Sequence, residues 1–323
     1  MKTIPIIDFR SEQDCVEEMY KAYTTCGFAI FTHAYDIWLS EFADWKLLME
    51  EFFQLGKIIK RKYAYSGVKE NIGYNWLEEE RLTPTKPGDL KESYNWVSPD
   101  RMQEEYWPIE IPEFKLMAKK IERIARMLSY QFLYRFEKVL NVPTGKLVEK
   151  HMDGSATMRM IHYPPYEGEI KENQVRGGAH TDYGTITLLW RFDDVPGLQI
   201  YDKEDDEWID APIIENSIVL NVADMFARWS NDILKSTPHR IVNSDLSRPR
   251  YSMPYFVDPG RDVMIENITK DPAKYPPIPA YEYLKWRLAQ SYVDDNYTEN
   301  VEVAKYGDLH LPEESEYSIS NTQ

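Results

Sequence analysis

The chain has 323 residues, with 38 Lys and Arg against 54 Asp and Glu, a formal net charge of −16. That excess of acid argues against the broad basic surface that nucleic acid or an anionic membrane requires. The length can enclose a large core, and with no internal repeat, linker or low-complexity block to divide it, a single domain is the simplest division.

The acidity is uneven. Residues 291–323 hold eight carboxylates against one cation, Lys305, and read as a solvated terminus on a mildly acidic body. The two cysteines, Cys15 and Cys26, lack Cys-x-x-Cys spacing, which excludes a thiolate cluster or a disulfide framework. Pro5 and Asp8 interrupt what would have to be an apolar signal core, and no run approaches the roughly 18 apolar residues of a spanning helix. A cytoplasmic monomer with no membrane partner is expected.

Residues 4–9 read as a short buried strand. Ser11 with Asp14 suggests a capping box, Val16, Met19, Tyr23 and Cys26 follow at helical spacing, and Gly27 stops the helix. Residues 28–31 predict a second strand. Phe42, Met49, Phe52 and Phe53, set among Glu and Lys, predict an amphipathic helix over 38–63 whose aromatic stripe packs on a core. Between 66 and 107 the pattern breaks into Gly, Pro, Asn and aromatics, which predicts a long loop, either a substrate-facing wall or a surface meander whose aromatics fill gaps. Pro112 opens a long helix to about residue 140, with Met117, Ile121, Ile124, Leu128 and Phe132 on one stripe.

From Met158 the period changes to two. Strands are predicted at 158–163, 185–190, 197–201, 208–210, 217–222, 240–243 and 250–257, separated by turn residues. The acidic stretch 202–207 lacks the Gly and ligand spacing of a calcium loop and reads as a solvated turn. Many short strands at regular spacing predict a jelly roll or sandwich, and residues 281–292 predict a closing helix. The fold class is therefore α+β with a mainly β core. A helical and strand region over about 1–150 packs on a β half over about 155–290, with the acidic tail at about 291–323.

The chemistry centres on Gly177-Gly178-Ala179-His180-Thr181-Asp182-Tyr183-Gly184. In an extended segment positions i and i+2 share a face about 6.6 Å apart, so His180 and Asp182 can converge on one ion. His239, in Ser236-Thr237-Pro238-His239-Arg240, is the candidate third ligand, because Pro238 favours an extended entry into a strand. Two imidazoles and a carboxylate on one face suit a non-haem Fe(II) oxygenase, and three protein ligands with an open position also suit catalytic zinc. Arg250 and Ser252 share a strand face and together offer a planar fork and a hydroxyl to a carboxylate.

These segments resemble the isopenicillin-N-synthase-like branch of the Fe(II)/2-oxoglutarate-dependent oxygenases. The resemblance extends over Ile4-Pro5-Ile6-Ile7-Asp8-Phe9, Lys91-Glu92-Ser93, His162-Tyr163-Pro164-Pro165, the His180 segment, Pro196-Gly197-Leu198-Gln199, Asn221-Val222-Ala223-Asp224-Met225, the His239 segment and Arg250-Tyr251-Ser252. It implies a double-stranded β-helix with flanking helices and iron held by His180, Asp182 and His239. It also implies 2-oxoglutarate gripped at its distal carboxylate by Arg250 and Ser252, with help from Tyr163. The implied reaction consumes O2, releases succinate and CO2, and hydroxylates, desaturates or cyclises a small-molecule metabolite. An iron-dependent oxidase without 2-oxoglutarate and a non-catalytic metal-bound scaffold are the alternatives. Many plant members carry Asn two residues before the tyrosine, where this chain has Ile161, so that polar contact to the co-substrate is lost.

The remaining charged residues have plainer readings. His33, His151 and His310 lack motif context and read as surface or structural. His162 should face away from Tyr163, and Asp224 and Arg228 read as a structural pair or as support for the metal ligands. Arg159, Arg176 and Arg191 are candidate receivers of an anionic or amino-acid-like substrate, against a reading as solvated strand-edge charges.

Overall fold

The alternating second half of the chain folds into two facing sheets, against which the helices of the first half pack. The structure is a computed structural model that describes residues 3–67, 70–82, 86–98, 101–153 and 155–291. His310 and the acidic tail beyond 291 lie outside the described residues. Among the described residues no helix is long and apolar enough to cross a membrane.

Strand β1 (Ile6–Asp8) leads into helix α1 (Glu12–Thr25), and Gly27 at φ +71° turns the chain into β2 (Phe28–Thr32). A Cβ on Gly27 would lie 2.2 Å from the Lys235 carbonyl oxygen, so the turn requires glycine. The Ser11 hydroxyl donates to Asp14 at 2.7 Å and makes no capping bond to the backbone, so the expected capping box is absent. The helix expected over 38–63 is broken into α2 (Leu39–Gln54) and α3 (Lys57–Lys60), because Leu55 and Gly56 adopt extended ψ values of 143° and 145°.

Strands β3 (Gly73–Asn75) and β4 (Glu92–Val97) lie inside the segment expected to be a loop. Every residue of β4 is buried, polar ones included. Its Glu92 receives hydrogen bonds from Lys60 at 2.7 Å and from Tyr74, and lies 2.8 Å from His162 Nδ1. Burial of a carboxylate is tolerated where such partners surround it.

Helices α4 (Phe114–Val139) and α5 (Lys146–Lys150) precede β5 (Thr157–Tyr163), β6 (Gly177–His180), β7 (Ile186–Arg191), β8 (Leu198–Asp202), β9 (Glu207–Asp210) and β10 (Ser217–Val222). Helix α6 (Asp224–Trp229), β11 (His239–Ile241), β12 (Arg250–Val257), β13 (Met264–Ile265), β14 (Ile278–Pro279) and α7 (Ala280–Ser291) complete the chain. The strand expected at 240–243 is shifted to begin at His239, which pairs with His180 across β11 and β6.

The major sheet runs β1-β2-β10-β7-β12-β5-β4-β3 and the minor sheet β6-β11-β8-β9. Strand alternation sends one face of the major sheet to the helices and the other to the minor sheet. Met158 and Met160 of β5, Leu188 and Trp190 of β7, and Met253 and Tyr255 of β12 join the large core. Phe132 of α4 packs there on Phe9 and Phe31, with ring centroids 4.7 and 4.8 Å away. The intervening residues face the smaller space between the sheets, where Phe28, Ile161, Tyr163, Leu198 and Ile241 form a second core. These two facing sheets make the expected jelly roll, and the functional groups project into its interior.

Candidate functional site

Strands β6 and β11 bring the expected metal ligands together. Ligand atoms of His180, Asp182 and His239 all lie within 4.8 Å of one another. Asp182 Oδ1 is 3.7 Å from His180 Nε2 and 3.9 Å from His239 Nε2, and the imidazole centroids are 4.4 Å apart. Adjacent octahedral ligands about 2.1 Å from an ion are roughly 3 Å apart, so a small contraction closes the set around a cation.

Each candidate ligand is oriented by what its other polar atom does. His180 Nδ1 lies 2.8 Å from the Gly178 carbonyl and His239 Nδ1 3.3 Å from that of Thr237, which leaves both Nε2 atoms as acceptors for a metal. Asp182 Oδ2 accepts from Thr187 Oγ1 at 2.6 Å and Asn221 Nδ2 at 2.8 Å, leaving Oδ1 toward the imidazoles. Burial, followed by the neighbouring His239, drives His180 down to about 3 and keeps the imidazole neutral. Burial opposes the charge on Asp182, but the imidazoles and the two donors outweigh it and hold the carboxyl below its ordinary range.

Asp224 ties this centre to the rest of the fold. Its backbone N–H donates to the Asp182 carbonyl at 2.9 Å. Its carboxylate accepts from Thr181 at 3.0 Å and Ser236 at 2.6 Å, one residue beside His180 and three before His239. Its charge partner at 2.6 Å is Arg287 of α7, and Arg228 donates to the Pro276 carbonyl at 2.9 Å. These contacts tie Asp224 to the segments that carry the candidate ligands.

The second cluster lies on β12 and β5. Arg250 and Ser252 are both 1 % exposed, and Arg250 Nη1 is 3.4 Å from Ser252 Oγ. Tyr163 pairs with Arg250 across the two strands, and the guanidinium lies 4.8 Å from its ring centroid. Arg176 and Arg191 approach the same place; both are held below the usual arginine range by burial and then by Arg250, Arg191 reaching about 10. Neither is a solvated strand-edge charge: Arg176 is fully buried, and Arg191 has buried nitrogens without protein partners. Such a concentration of guanidinium suits a carboxylate ligand.

A single cavity connects both clusters and is lined by His180, Asp182, His239, Tyr163, Arg250 and Ser252. Ile161 presents an apolar side chain to it, and Lys91 is among the cations that line it. Burial works against the Lys91 charge, but Asp89 and Glu80, each at 3.0 Å, outweigh it and push the ammonium above its usual range. Arg159 also lines the cavity and is tied to Glu80 at 3.0 Å and Asn95 at 2.8 Å. From the segment 66–107, Glu70, Asn71, Glu80 and Val97 line the cavity.

Among the described residues, the remaining histidines do not line this cavity. His162 faces the helix side, stacked on Tyr251 with centroids 4.6 Å apart. His151 is buried between the Leu147 carbonyl at 2.7 Å and Thr185 Oγ1 at 2.9 Å, and His33 is exposed beside Asp36. Sequence reasoning does not single out Lys91, Asp258 or Arg287 as site residues. Only Lys91 stands in a motif, and the others lack a local pattern that would mark them.

A jelly roll enclosing two imidazoles and a carboxylate beside a buried arginine–serine pair defines the class of mononuclear non-haem oxygenases. The family model described as the 2OG-Fe(II) oxygenase superfamily matches residues 154–259. A second, the non-haem dioxygenase in morphine synthesis N-terminal model, matches residues 4–114. A full-length Neurospora crassa protein, solved in complex with alpha-KG, superposes with a TM-score of 0.81 at 30% identity over 88% of this chain and 96% of that one. The proline hydroxylase buaE of Petromyces alliaceus is 29% identical over 86% of this chain and 93% of its own. The 2-oxoglutarate-Fe(II) type oxidoreductase hxnY of Emericella nidulans is 34% identical over 58% of this chain and 55% of its own.

The chain belongs to the 2-oxoglutarate/Fe(II)-dependent oxygenase superfamily. It is a non-haem Fe(II)- and 2-oxoglutarate-dependent oxygenase of small molecules, with O2 as co-substrate.

Proposed function

We propose that His180, Asp182 and His239 hold the ferrous ion, and that Arg250, Ser252 and Tyr163 hold the distal carboxylate of 2-oxoglutarate. The observation that carries this reading is the division of labour within the triad. One atom of each ligand is occupied by the protein, and Nε2, Oδ1 and Nε2 are left converging. The donor set, two nitrogens and one oxygen with room for further ligands, fits iron.

When bound, iron and 2-oxoglutarate supply the oxidation, in which O2 is consumed and succinate and CO2 are released. The chain's own groups position and enclose. Thr187 and Asn221 fix the Asp182 carboxylate, the Phe28 ring lies 5.3 Å from the His239 ring, and Leu189 and Leu198 add apolar walls that exclude water. Hydroxylation, desaturation and oxidative cyclisation all follow from the same site with a differently placed substrate carbon.

The substrate in this reading is anionic or amino-acid-like, supported by the cationic residues Arg81, Arg101, Arg159 and Arg261 around the cavity. The structural relatives include a protein solved with thymine and the sequence relatives include a proline hydroxylase, both names of small polar molecules. The same reading makes the chain a single catalytic domain, supported by β1 to β4 extending the major sheet. It also makes it a monomer, and a cytoplasmic one, the location being in keeping with the free buried thiols Cys15 and Cys26.

The test is O2-dependent succinate release from added 2-oxoglutarate with Fe(II), alongside metal titration. His239→Ala is expected to abolish both metal binding and turnover. Turnover at the parent rate would remove His239 from the site.

A further inference from the structure

We propose that the end of the cavity beyond the metal triad is built for a free amino acid, with Asp258 receiving its ammonium group and Arg101 its carboxylate. This rests on the oxygenase reading above and assigns its substrate class.

Asp258 follows directly after β12, and its carboxylate lies against Gly184, where an added Cβ would fall 2.0 Å from Oδ1. Glycine at 184 therefore leaves the room that this carboxylate occupies. Asp258 and Arg101 line the same cavity as His180, Asp182 and His239. Arg101 is one of the charges that Asp258 senses, together with Asp182 and Asp153.

Two other charges of the wall are already compensated. Lys91 is paired with Asp89 and Glu80, and Arg159 with Glu80. Among the described residues neither the Asp258 nor the Arg101 side chain makes a hydrogen bond or an ion pair, and Arg261 reinforces the positive side while stacking 4.7 Å from the Tyr281 ring. A carboxyl and a guanidinium that face one space without closing on each other match a ligand carrying an ammonium and a carboxylate. Pro254 and Phe256 offer the apolar surface against which its side chain would lie. Unpaired ionic groups of this kind discriminate strongly against an analogue that lacks the matching group, because the site charge is then desolvated without compensation.

The test titrates the chain loaded with Mn(II) and 2-oxoglutarate by calorimetry. The ligands are the protein amino acids, their 2-hydroxy-acid counterparts and thymine. At least one amino acid is expected to bind, roughly tenfold or more tighter than its hydroxy acid. Asp258→Asn should erase that preference while leaving Mn(II) and 2-oxoglutarate affinity intact. Arg101→Gln should weaken the amino acid and the hydroxy acid by similar factors. An undiminished preference in Asp258→Asn would overturn the proposal, as would a parent protein that binds no amino acid or prefers thymine or a hydroxy acid. Failure of the parent to bind Mn(II) and 2-oxoglutarate would overturn the oxygenase reading itself, and this assignment with it.

Discussion

Arg287 Nη2 lies 2.6 Å from Asp224 Oδ2, and both side chains are almost completely buried. The pair joins the last described helix to the segment that carries the proposed metal ligands His180 and Asp182, since Arg287 also donates to Thr181 at 3.0 Å. Asp224→Asn leaves the guanidinium buried without its counter-charge, a change that costs about 3–5 kcal/mol. Because Asp224 also holds the Thr181 and Ser236 hydroxyls, Mn(II) affinity should fall by about 10–100-fold. Thermal unfolding and metal titration separate the two effects. A lowered melting temperature with unchanged metal affinity would confine the pair to a structural role.

Arg250→Ala should leave the metal site able to fill, because none of the three ligands depends on that side chain. Removing one partner from a desolvated charge pair costs about 2–5 kcal/mol, so the apparent Kd for 2-oxoglutarate should rise about 30-fold or more. Titration of 2-oxoglutarate into the Mn(II)-loaded variant measures this directly. Equal affinity in variant and parent would refute the assignment.

Gly27→Ala should destabilise the fold in its own right. The left-handed conformation costs a non-glycine residue about 1–2 kcal/mol, and the added Cβ also meets the Lys235 carbonyl at 2.2 Å. A loss of about 2 kcal/mol or more in denaturant unfolding is expected. A loss below half that would mean the backbone around Lys235 gives way easily.

His151 predicts an acid sensitivity unrelated to the metal site. Burial pushes its imidazole from 6.5 down to about 4, so the folded state resists protonation there. Above pH 6.5 the ring is neutral folded and unfolded, with no effect on stability. As pH falls from 6.5 through 4 the unfolded chain takes the proton first, and stability on the order of 3 kcal/mol is lost. His151→Gln should flatten this part of the stability profile when unfolding is followed at pH 5 and pH 7. Parallel profiles would show that His151 titrates normally.

The parts of the fold and site legible from sequence are those with short local periods. Alternation along 158–163 and 250–257 marks β5 and β12, and the i, i+2 spacing of His180 and Asp182 marks two ligands of the proposed triad. Strand β4 is not legible because Glu92, Ser93 and Asn95 are buried polar residues, and such a strand lacks an alternating apolar signature. The partners of Glu92, Lys60 and His162 among them, come from distant segments. The roles of Asp258 and Arg287 depend in the same way on contacts across the fold, which no local spacing encodes. Arg176 is open to a solvated reading because its environment is shaped by Pro164 and Arg248, whose carbonyls accept from it at 3.3 and 2.9 Å.

Strand β12 gives one row of residues to the cavity, Arg250, Ser252, Pro254 and Phe256, and the alternate row to the large core. Its pairing with both β5 and β7 locks that assignment from two sides. Deletion of one residue within β12 would exchange the rows over part of the strand, bringing Tyr251, Met253 or Tyr255 toward the cavity and a charge or a hydroxyl toward packed hydrocarbon. Folding and recognition therefore share one reading frame along this strand. Substitution can retune the cavity a position at a time, whereas a change in strand length would disable both functions together.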